Sequence, residues 1–247
     1  MLPHSYLPQI SILKSQILNT MNPAINNFNL KELKGRDARL FQEWKELDSL
    51  CSKRKADSPN PLKPSLSYII RRKNAVGLPT EFEIWYRCKS IVGVEDTPAP
   101  RKPIFGYLHK MSVVLPNNYP SADGNPVFTF ISDIWHPNIR YSGSFKGHVC
   151  LTIKEMGVLA SIKDLVLRVE RYLKYQMYHA QNTYPYPEDQ TVAEWVREEA
   201  EPNGWTKFTQ EMPQPEQKPQ PAPEPQAEAA PAPVAEEKPK KKITLSI

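Results

Sequence analysis

Two short motifs put reactive side chains close together along the chain. The tripeptide His136-Pro137-Asn138 is followed, across a polar loop, by Gly147-His148-Val149-Cys150-Leu151. A thiol is a strong nucleophile as its thiolate, and it is also a good leaving group. Asn138 follows a proline, which fixes the local backbone, and it carries an amide that can donate hydrogen bonds. A rigidified asparagine a short loop before a cysteine points to a thiol site with an amide donor facing it. Each residue also has a plainer reading. A lone cysteine is most often a small buried apolar residue, and asparagine after proline suits a turn. His136 reads as a structural residue that holds the loop by side-chain hydrogen bonds. His148 stands two residues before Cys150 on a strand-like segment, shares its face and reads as solvent-facing. His136, His148 and Cys150 lack the paired spacing of a zinc site, and nothing in the chain implies a cofactor.

These motifs need elements to hold them. Asp37 to Cys51 predicts an amphipathic helix, with Leu40, Phe41, Trp44, Leu47 and Leu50 on one stripe. Arg39, Glu43, Lys45 and Glu46 occupy the other face, and Ser58-Pro59-Asn60-Pro61 breaks the pattern. Four strands are expected next: Leu66 to Arg72, Thr80 to Ile91, Tyr107 to Leu115 and Val127 to Ile131. Alternation of Phe82, Ile84, Tyr86 and Cys88 with Glu81, Glu83 and Arg87 predicts one half-buried antiparallel strand. Ser161 to about His179 predicts a long second helix, capped by Ser161 and buried through Ile162, Leu165, Val166, Val169, Leu173 and Met177. A shorter helix, Thr191 to Ala200, is closed by Pro202-Asn203-Gly204. Cys88, on an apolar strand face, and Cys51, ending a helix stripe, read as structural.

In this order of parts, Tyr119-Pro120, Pro126, His136-Pro137-Asn138 and Gly147 to Leu151 resemble the active-site region of ubiquitin-conjugating enzymes. The resemblance implies an α+β fold: N-terminal helix, four-stranded antiparallel meander, active-site loop and long helix. It implies that Cys150 carries a ubiquitin-like modifier as a thioester, received from an adenylating activating enzyme, and passes it to a lysine of a protein substrate, with or without a ligase. It makes Asn138 a donor to the oxyanion of that transfer. Pro187 to Val192 resembles the family's acidic loop, whose carboxylate orients the lysine and helps remove its proton; Asp189 aligns best, and Glu188 is the alternative. Acids at a helix N-terminus are equally expected from the helix dipole.

The sequence also departs from the family pattern. The loop from Asn138 to Cys150 is longer than usual, Ser121 stands where a bulky apolar residue is common, and Met156 to Ala160 replaces the usual loop after the cysteine. The usual further C-terminal helices are missing. A divergent member, of bacterial origin, is the reading these departures give. Two competitors come from other classes. A Cys-His isopeptidase would use His136 or His148 as base and would need a third, orienting group. A non-catalytic modifier-binding module would normally lack the cysteine.

The 247 residues divide into an N-terminal extension (1–30), a catalytic domain (31–208) and a Pro/Ala/Glu-rich tail (209–247). In the extension, Ile10, Leu13 and Ile17 have helical spacing, as an appended helix or a partner-docking segment. The tail's composition cannot bury a core. It ends with Ile243, Leu245 and Ile247 alternating with polar residues, the pattern of a strand that could add to a partner's sheet edge. A net charge of +5, with no aromatic interleaving at Arg71-Arg72-Lys73 or Lys240-Lys241-Lys242, argues against nucleic acid. Three scattered cysteines form no disulfide framework, which points to a reducing, cytoplasmic compartment. Pro3, Pro8 and Lys14 interrupt any signal peptide, and no membrane span is expected.

Overall fold

A computed structural model describes residues 22–121, 123–151 and 160–212. The apolar spacing at Ile10, Leu13 and Ile17, the segment Met156 to Leu159, and the terminal Ile243, Leu245 and Ile247 lie outside the described residues.

A 3₁₀ turn, Pro23–Asn27, leads to helix α1, Gly35–Ala56. Asp37 in the first turn and Lys53, Arg54 and Lys55 in the last oppose the helix dipole favourably. Its stripe of Leu40, Phe41, Trp44 and Leu47 is fully or almost fully buried. Strands β1 (Leu66–Lys73), β2 (Pro79–Tyr86), β5 (His109–Val114) and β6 (Val127–Phe130) form an antiparallel sheet in the order β1-β2-β5-β6. Helix α2, Ile162–Leu173, starts at Ser161, whose hydroxyl accepts the Asp164 amide at 3.2 Å. Its Val166 carbonyl accepts the buried Tyr86 hydroxyl at 3.1 Å, which ties helix to sheet. The fold is α+β, with the helix, meander, loop and helix in the expected order.

Four expectations change. The strand foreseen over Thr80 to Ile91 is two strands. β2 ends at Tyr86, and β3 (Ser90–Val94) pairs with β4 (Pro103–Gly106) in a separate two-stranded ladder. The bend falls at Arg87 to Lys89, where the Cys88 carbonyl is met at 3.0 Å by the buried His109 ring instead of a strand neighbour. Burial continues past the bend but out of step with the alternation, since Cys88 and Ile91, three residues apart, are both buried, Ile91 in a second cluster with Trp135, Val192 and Trp195.

Helix α2 stops at Leu173 instead of reaching His179. Tyr175 takes a left-handed backbone (φ 52°), which costs about 1 kcal/mol. Its buried ring, with the hydroxyl donated to the Trp135 carbonyl, favours that turn.

The last helix, α3 (Gln190–Trp195), widens into a π-helical turn over Val196–Ala200. Glu43, foreseen on the exposed face of α1, is 1 % exposed. It accepts hydrogen bonds from the Tyr119 hydroxyl and the Ile162 amide, both at 2.6 Å, and pairs with Arg39. One carboxylate thereby joins α1, the turn before β6 and the start of α2.

Candidate active site around Cys150

Past β6 the chain reaches His136 and doubles back as an irregular hairpin. The Cys150 amide donates to the Asn138 carbonyl at 2.9 Å, and the Arg140 amide donates to the His148 carbonyl at 2.9 Å. Gly147 is where the returning limb crosses the end of β6. Its carbonyl accepts the Phe130 amide at 2.8 Å, its φ is 85°, and a Cβ there would lie 2.2 Å from the Phe130 oxygen. Only glycine fits that crossing. Ser142 to Lys146 form the exposed tip of the hairpin. The long loop is therefore taken up at the tip, and Asn138 stays paired with Cys150.

Asn138 is held on three sides. Its amide donates to His136 Nδ1 at 3.1 Å, its carbonyl accepts Cys150, and its side-chain Oδ1 accepts the His179 amide at 3.0 Å. With Oδ1 so used, the –NH₂ end is what the side chain has left to offer the cleft. His136 is fully buried and stacked on Tyr172, with ring centroids 5.1 Å apart. Its Nδ1 accepts, so its Nε2 carries the proton and donates to the Met177 carbonyl at 3.2 Å. Burial pushes its pKa down to about 3 and keeps it neutral. Pro137 is buried, and its carbonyl accepts the Asp189 amide at 3.0 Å.

Asp189 is 5 % exposed. One oxygen caps α3 by accepting the Val192 amide at 3.1 Å, and the other accepts the Tyr141 amide at 2.9 Å. Asp189, expected as a proton-accepting carboxylate, holds hairpin and helix together through these two backbone amides. Glu188, the alternative, sits 3.2 Å from His148 Nδ1 and 3.5 Å from Arg140 Nε. The half-exposed His148 is engaged there.

Cys150 is half-buried and opens on a cleft of about 220 Å³, lined also by Asn138, Arg168, Tyr172, His179 and Tyr186. Arg168 Nε donates to the Tyr172 hydroxyl at 3.2 Å, and that hydroxyl lies 3.5 Å from the Cys150 carbonyl. Sequence reasoning missed Arg168, Tyr172, His179 and Tyr186. Cys51 and Cys88 are buried, and burial pushes both thiols up to about 12. Among the described residues, no cluster of three or more His, Cys, Asp or Glu side chains is arranged to hold a metal, and no helix is long and apolar enough to cross a membrane.

No family model and no curated protein matches this chain. Among solved structures, the E2 domain of a Toxoplasma gondii ubiquitin conjugating enzyme is similar to it. The two are 21% identical, over 70% of this chain and 91% of that one, with a TM-score of 0.43. At that degree of overlap, what this chain does rests on Cys150 and the side chains that surround it.

Proposed function

We propose that this chain is a conjugating enzyme for a ubiquitin-like modifier. One observation carries the reading: Cys150 and Asn138 are paired across one hairpin, and Asn138's Oδ1 is anchored so that its –NH₂ remains for the thiol cleft. The Cys150 thiolate attacks the modifier's thioester on an adenylating activating enzyme. One C–S bond forms as another breaks, at nearly equal energy, and the ATP chemistry stays with the activating enzyme. An amine, typically a lysine of a protein substrate, then attacks the Cys150 thioester, with or without a ligase. The oxyanion that forms is met by the Asn138 amide, a donor typically worth about 10²–10³ in rate. The C–S bond breaks, and the thiol is returned. Asp189 supports the site from behind by clasping Tyr141 and α3.

The hydrolase alternative loses its first base, because His136 is buried with its lone pair spent on the Asn138 amide. Incubation with modifier, activating enzyme and ATP should give a reductant-sensitive adduct on a non-reducing gel. Cys150→Ser should turn it into a reductant-resistant ester or abolish it. Equal charging of Cys150→Ala would overturn the reading.

A further inference from the structure

We infer that His179 is the group that takes the proton from the attacking amine during discharge of the Cys150 thioester. This rests on the proposed conjugating function and deepens it. His179 lines the same cleft as Cys150 and Asn138. Its backbone amide holds the Asn138 side chain at 3.0 Å, so the residue is fixed relative to the oxyanion donor. Its ring Nε2 lies 3.0 Å from the Thr183 carbonyl. A carbonyl only accepts, so Nε2 carries the hydrogen and Nδ1 keeps the lone pair.

The other groups facing the cleft cannot do this work near neutral pH. From α2 come Arg168, whose guanidinium only donates, and Tyr172; from the segment after it come Tyr178 and Tyr186. Phenols near neutral pH hold their protons, and Cys150 is itself the acylated atom. No carboxylate is among the described residues that line the cleft. Asp189 is buried under two backbone amides, and Glu188 is beside Arg140 and His148.

The neutral amine nitrogen attacks the thioester carbon and becomes positively charged as the oxyanion forms. His179 Nδ1 takes one N–H proton, and the C–S bond then breaks to release the Cys150 thiolate. The imidazolium returns the proton to sulfur. The products are an amide and a free thiol.

The test uses the full chain and a small probe, the acetyl-glycyl-glycine thioester of mercaptoethanesulfonate, with adduct and discharge followed by intact mass. Transfer to and from a thiolate involves no amine proton, so His179→Gln should load at the parent rate and return the acyl group to mercaptoethanesulfonate at the parent rate. Discharge to free lysine should fall about 100-fold, a size common for general-base catalysis. The parent's lysine discharge, corrected for the fraction of free amine, should show a limb of falling rate on acidification, as expected of any general base that becomes protonated. That limb should vanish in His179→Gln and persist in His148→Gln. Imidazole added to His179→Ala should restore part of the lysine rate. Parental lysine discharge and pH profile in a normally loading His179→Gln chain would overturn the inference, as would a parent profile with no such limb. Loading of Cys150→Ala at the parent rate would instead overturn the proposed function itself.

Discussion

Asn138 is asked to do two things, and they can be separated by substitution. Its Oδ1 accepts the His179 amide, and its –NH₂ is assigned to the oxyanion. Asn138→Ala removes both. Loss of the Oδ1 partner strands a part-buried amide, a cost of about 1 kcal/mol in folding stability. Loss of the donor costs about 10²–10³ in lysine discharge, or about 2.7–4 kcal/mol of transition-state stabilisation. Asn138→Asp keeps an oxygen for the His179 amide and removes the donor. Its stability should therefore stay nearer the parent's while its lysine discharge falls at least as far as that of Asn138→Ala. Charging should be nearly normal in both, because thiolate exchange places less demand on the oxyanion. Urea melts and discharge of charged protein to free lysine, followed on non-reducing gels, give the two readings. A folded Asn138→Asp chain that discharges to lysine at the parent rate would refute the donor role, whatever the stability data say.

Two further outcomes follow from the same segment. Gly147→Ala combines a left-handed backbone with a Cβ set 2.2 Å from the Phe130 oxygen. It should cost more than about 2 kcal/mol, and a urea midpoint within error of the parent's would contradict the crossing described. His136 gives a pH dependence. Its folded pKa, about 3, lies below the ordinary imidazole value of about 6.5. The unfolded chain thus binds more protons below about pH 6.5, so stability falls as pH drops. Between pH 7 and pH 5 the loss from this group should be about 2 kcal/mol, with His109, also pushed down by burial, adding in the same direction. Urea midpoints across that range check it, and a flat profile would show that His136 is not held neutral.

Legibility followed the kind of signal each part leaves. Helix α1 and the sheet's inward face were readable because their apolar periods are long and regular, from Leu40 to Leu50 and from Phe82 to Tyr86. The thiol and its asparagine were readable because they sit in a motif of uncommon residues in fixed order. Periodicity failed where it outlasted the element. Cys88 extends the strand pattern past the end of β2, and Met177 extends the helix pattern past Tyr175, because burial continues although the hydrogen-bond ladder does not. Glu43 could not be placed from sequence, since its three partners come from its own helix, the turn at Tyr119 and the start of α2. Asp189 was visible both as an acid near the site and as a helix cap. What decided its placement was the Tyr141 amide, which arrives from 48 residues away.

The early end of α2 is what completes the cleft. Had the helix run on to His179, the amide of His179 would have been consumed by the helix's own i→i−4 ladder, and the carbonyl of Met177 would have pointed along the helix axis. Instead Tyr175 turns the chain out, and those two groups are left to meet side chains of the His136-Pro137-Asn138 segment, Met177 at His136 and His179 at Asn138. Both histidine and asparagine thus gain fixed orientations from backbone groups that a longer helix would have used or aimed elsewhere. The left-handed tyrosine costs about 1 kcal/mol, and the two hydrogen bonds it releases to the site contribute about as much each. His136 and Asn138, together with the buried Tyr175 ring, offset the cost of the turn, so the positioning of the site and the shape of the helix end are one energetic arrangement.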